Sequence, residues 1–152
     1  MDNERFFDYF NELIELCIFS EEKFRLAAKH VKSPELKRFF EKEKYNLSNL
    51  VRELQYELTR LGATPTSQGT IAGAEADTWL NLEKEFDASD QIILERLEAS
   101  EDAIERGFYR ILNEPLPADL REILQQRYEG IKVSHNSIRT FLSNMGYKTK
   151  TV

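Results

Sequence analysis

Three glutamates, one arginine, one tyrosine and one histidine stand where helical packing residues are expected. Glu21 falls among the regularly spaced Phe6, Phe10, Leu13, Cys17, Phe24, Ala27 and Val31, whereas Glu22 points away from them. Glu43 lies between Phe40 and Leu47, and Glu101 between Leu97 and Ile104. Arg127 is central on the inward face of the last segment, with Tyr128 and His135 along one flank. A carboxylate aimed into an apolar interior must protonate, pair with a cation or bind a metal, because unpaired burial of its charge is costly. Oxygen-rich sites with imidazole suit iron or manganese.

Helical bundles that bind two metals take one Glu from each of two helices and Glu-x-x-His from each of the other two. Glu21 and Glu101 fit the single-Glu roles. The second helix offers Glu43-Lys44-Tyr45-Asn46, with Asn46 where histidine is needed. The fourth offers Lys132-Val133-Ser134-His135, with lysine in place of the bridging glutamate. Two readings follow. Glu21, Glu43, Glu101 and His135 form a candidate metal site for Fe or Mn. Alternatively, Glu21, Glu43 and Glu101 join Asn46, Arg127 and Tyr128 in a buried polar layer that sets register without chemistry, with Arg127 as the cation.

The elements that must position these residues are four long helices. The first is expected over 3–31. It stops before Ser33-Pro34, a capping residue followed by a proline suited to the first helical position. The second runs over 34–61 with Leu36, Phe40, Leu47, Leu50, Leu54, Leu58 and Leu61 on one face, and Gly62 is placed to end it in a left-handed conformation. Residues 62–88 open with a Gly, Thr, Ser and Pro-rich loop and continue into a short helix over about 71–86, carrying Trp79, Leu82 and Phe86. The third helix spans 89–113 and the fourth 118–144, separated by Asn113-Glu114-Pro115-Leu116-Pro117.

No segment keeps a period of two, so the fold class is all-α. Two tight hairpins joined by a long crossover describe a single ferritin-like four-helix-bundle domain over 1–152, with the second and third helices parallel. In that topology Glu21, Glu43 and Glu101 fall within roughly one helical turn of a common level, at about 1.5 Å per residue.

Composition narrows the partners. The 152 residues carry a formal net charge of -6, with no basic stripe able to neutralise phosphates, so nucleic acid is not expected. No apolar run is long enough to span a membrane, the N-terminus does not read as a signal peptide, and the lone Cys17 builds no disulfide scaffold, which together point to the cytoplasm. Around Leu16, Cys17, Ile18 and Phe19 the first helix is apolar on nearly every side, and Leu26 extends that surface. Either the crossover around Trp79 covers it, or a homodimer forms through Leu16, Phe19 and Leu26.

The stretches SEEKFRLAAKHVKSPELKRFF, RELQYELTRLGATP, GTIAGAEADTWLNLEKEF and ILERLEASEDAIE, together with QQRYEGIK, give the chain a resemblance along nearly its whole length. It resembles a bacterial family of ferritin-like four-helix bundles classed as a domain of unknown function. The resemblance implies the fold and no established reaction. By position it carries over Glu21 and Glu101. Where the family often has His before Arg in the crossover, this chain has Ala74-Glu75-Ala76-Asp77. The expected function is a non-catalytic interaction, scaffold or stress-associated protein, needing no cofactor and with its protein partner unidentified. The alternative is an iron- or manganese-binding oxidoreductase or metal-storage protein.

Overall fold

A computed structural model describes residues 3–66 and 89–146. They form four helices: α1 (Asn3–His30), α2 (Pro34–Arg60), α3 (Asp90–Leu112) and α4 (Ala118–Asn144). The ranges agree with the sequence expectations to within a residue at each end. The expected short helix over 71–86, with Trp79, lies outside the described residues.

Local chemistry fixes the helix ends. Ser33 caps α2, its hydroxyl accepting the Leu36 N–H at 3.3 Å, and Pro34 opens the first turn. At the other end Gly62 adopts φ +91°, a region costly for side chains with a Cβ. The Ala63 N–H then reaches the Leu58 carbonyl at 3.2 Å and the Gly62 N–H reaches Thr59 at 2.9 Å, closing a Schellman turn.

Side-chain pairs establish how the helices run. The α1–α2 turn is held by Asp90 at the start of α3, whose carboxylate accepts the Lys32 and Ser33 N–H groups at 2.8 and 3.0 Å. Thus α2 and α3 begin at the same end of the bundle and run parallel. Between α2 and α4, Phe39 meets Phe141 with ring centroids 5.1 Å apart, Glu53 pairs with Arg127 at 2.8 Å, and Arg60 reaches Asp119 at 3.4 Å. Those pairs descend α4 as they ascend α2, which makes the two helices antiparallel. Glu12–Arg110 and Arg5–Glu114 do the same for α1 and α3, and Glu98–Arg139 with Phe108–Tyr128 for α3 and α4.

The core is one cluster drawn from all four helices, with Phe10, Phe24, Phe40 and Phe108 fully enclosed. Each such side chain contributes roughly 1.5–3 kcal/mol through burial. Gly107 lets α3 approach α1 closely: a Cβ there would stand 3.1 Å from Leu13 Cδ1 and 3.3 Å from Leu16 Cδ1. The second apolar side of α1 is buried within one copy of the chain, since Leu16, Phe19 and Leu26 are all covered. Those three residues therefore leave no exposed apolar patch for a second subunit. From Gly62 the chain turns back along α1, where Thr66 donates its N–H to Asn11 Oδ1 at 2.8 Å. No described helix is long and apolar enough to cross a membrane.

Candidate functional site

A band of buried polar side chains crosses the middle of the bundle. Glu101 on α3 is its centre, only 3% exposed. Burial pushes its carboxyl up to about 8, against the lowering pull of Lys23, while Glu43, Glu105 and Asp102 add to the rise. Lys23, on α1, is 4% exposed and holds its Nζ 4.0 Å above the Phe19 ring. Cys17 is fully buried beside this group, and burial, followed by the Glu101 charge, raises its thiol far above the ordinary range. Ser20 is also enclosed.

Across the bundle Glu43 on α2 is half-buried. Burial raises its carboxyl, and the Ser134 hydroxyl on α4 and nearby Lys42 moderate the rise. His135, next to Ser134, is buried, with Nδ1 2.8 Å from Glu105 Oε1 and Nε2 enclosed without a hydrogen-bond partner among the described residues. Such an orphaned polar atom costs about 1–3 kcal/mol. Among the described residues, Asp102, Glu105 and His135 bring three ligand-type atoms within 4.8 Å of one another. Asp102 is exposed and Glu105 half-exposed, so this trio opens at the α3–α4 surface rather than in the band.

The expected polar residues divide accordingly. Glu43, Glu101 and His135 face the interior on three helices. Glu21 is a half-exposed flank residue, because Ser20 takes the packing position that continues the alternating three- and four-residue spacing from Phe10, Leu13 and Cys17 to Phe24. Glu22 is engaged by Arg25 on the same helix. Arg127 corrects an expectation: it is exposed and forks onto the Glu53 carboxylate with two 2.8 Å hydrogen bonds, so it gives no charge to the band. Asn46 is exposed as well. Tyr128 stacks on Phe108 at 5.7 Å, a packing role at the edge of the core.

The cation of the band is therefore Lys23, a residue the sequence reading passed over. A signal for it existed. Leu16, Phe19 and Leu26 define a second buried stripe on α1, and Lys23 occupies the position between Phe19 and Leu26 at the same three-and-four spacing.

These features define an all-helical four-helix bundle with an internal band of lysine, carboxyl and imidazole groups. The chain belongs to the family described as Domain of unknown function (DUF2383), whose model matches residues 6–114, from the start of α1 to just past α3. No curated protein matches the chain.

Proposed function

We propose that the chain is a ferritin-like bundle whose polar band is closed by its own lysine, and that it acts as a non-catalytic interaction, scaffold or stress-associated protein. The observation that carries this reading is Lys23, buried on α1 with its charge acting on Glu101 of α3. Di-metal bundles set cations between facing carboxylates, and here an ammonium takes up that electrostatic role. A carboxyl held mainly protonated near neutrality is also a poor metal ligand, since binding must first displace its proton.

Metal analysis of untagged protein, purified from cells grown with iron and manganese, tests this. The expected content is far below one metal per chain, with no change in Glu101→Gln. Near-stoichiometric iron or manganese that disappears in Glu21→Ala and Glu101→Ala contradicts it, and favours the oxidoreductase or metal-storage alternative. A second reading rests on the close approach of Asp102, Glu105 and His135. It predicts metal that is lost in His135→Ala and kept in Glu101→Gln.

A further inference from the structure

Between α2 and α4 lies a cleft of about 650 Å³, within the size range of small-molecule sites. Its ends are set by the two cross-helix pairs already described, Phe39 with Phe141 and Glu53 with Arg127. Between them, Leu47, Leu50 and Ile131 supply an apolar floor. Gly130 leaves the α4 wall open: a Cβ built there meets nothing within 4 Å. Glu43 stands in the opposite, α2 wall, half-buried, with Ser134 of α4 as its hydrogen-bonding neighbour across the cleft.

The geometry points to the α2–α4 cleft as a binding site for a small organic amine, its apolar body on Leu47, Leu50 and Ile131 and its ammonium on the Glu43 carboxylate. Charge complementarity selects this class. The other carboxylate of the cleft, Glu53, is already held bidentately by Arg127, which leaves Glu43 as the acceptor for a ligand's charge. Removal from water penalises the Glu43 charge, and a bound ammonium offsets that penalty through a charge-assisted hydrogen bond. An anionic ligand of the same shape would meet Glu43 with like charge. Lys42 also lines the cleft, but it is exposed at the rim whereas Glu43 is half-buried. The amine therefore meets the carboxylate inside, and the lysine keeps its contact with water. This inference does not rest on the metal-free reading of the band: the cleft shares Glu43 with it, but the readout is binding of an organic amine and not metal content.

The test is an NMR titration of the full chain with phenethylamine, compared with neutral 2-phenylethanol and anionic 3-phenylpropionate. Saturable amide shifts at Gly130 and Ser134 are expected with the amine, with at least about tenfold weaker binding of the other two. Glu43→Gln should weaken the amine by about tenfold, and Gly130→Leu, which fills open space on a helix, should abolish binding while the protein stays folded. The proposal is overturned if phenethylamine gives no saturable shifts there at millimolar concentration, if the anion binds as well as the amine, or if Gly130→Leu binds it unchanged.

Discussion

Replacing Glu101 with glutamine tests the physics of the buried band, because glutamine keeps the shape of the neutral acid and removes its titration. Burial raises the carboxyl from 4.5 to about 8, with Lys23 the main opposing influence. The folded chain therefore holds a proton that the unfolded chain has released across that interval. For a raised acid the sign is fixed: stability is highest below the unfolded value and falls as pH rises toward the folded one. The slope approaches about 1.4 kcal/mol per pH unit, the value for one proton. Summed over the interval the limit is about 5 kcal/mol, and relaxation of the surroundings around the charged form reduces it to roughly 2–4 kcal/mol. Glu43 is raised in the same direction, so the wild type alone cannot assign the effect. Urea unfolding of both proteins between about pH 5 and pH 9 does so. Near pH 5 the two should agree within about 1 kcal/mol, and near pH 9 Glu101→Gln should be more stable by roughly 2–4 kcal/mol. Parallel curves for the two proteins would refute the reasoning.

Other substitutions probe separate parts of the account. Arg127→Met should change stability by no more than about 1 kcal/mol, since it breaks an exposed pair with Glu53; a loss of several kcal/mol in urea unfolding would put its charge back inside the bundle. Gly107→Val should cost about 1–3 kcal/mol, because its Cβ presses on Leu13 and Leu16 while added methyls have no room, and thermal melting reads the loss directly. Gly62→Ala should cost about 1 kcal/mol through its left-handed backbone, whereas Gly130→Ala should stabilise by a similar amount, and the opposite signs are visible in paired melts. The Cys17 thiol should resist a disulfide reagent in the native state and react at once in denaturant, since it is fully enclosed and its thiolate disfavoured.

Much of the architecture was legible because apolar spacing and cap chemistry act locally. Ser33-Pro34 and Gly62 mark the ends of α2 in sequence as they do in space. The long interval between α2 and α3 also implied the parallel run that Asp90 now anchors. The polar band was legible only in part. Glu43, Glu101 and His135 sit on inward faces that periodicity identifies, but Glu21 competed with Ser20 for one packing position, and the smaller side chain took it. Choosing Arg127 as the cation followed from its place in an apolar pattern on α4. A long arginine near a helix edge instead turned outward to Glu53, a partner on another helix that no single-helix pattern reveals. Lys23 was hidden for the reverse reason. Its charge suggests solvent, yet α1 is buried on two sides, and a lysine on the second side has nowhere else to go. The α2–α4 cleft depends on Gly130 and on the separation of two helices, neither of which has a sequence pattern.

Glu101 lies in a closed interior where burial outweighs the pull of Lys23. Carbon-13 NMR of the Glu101 side-chain carboxyl, followed through a pH titration, reads this directly. The expected midpoint is near 8, moving higher still in Lys23→Met. A midpoint at the ordinary carboxylate value, unmoved by that substitution, would contradict it.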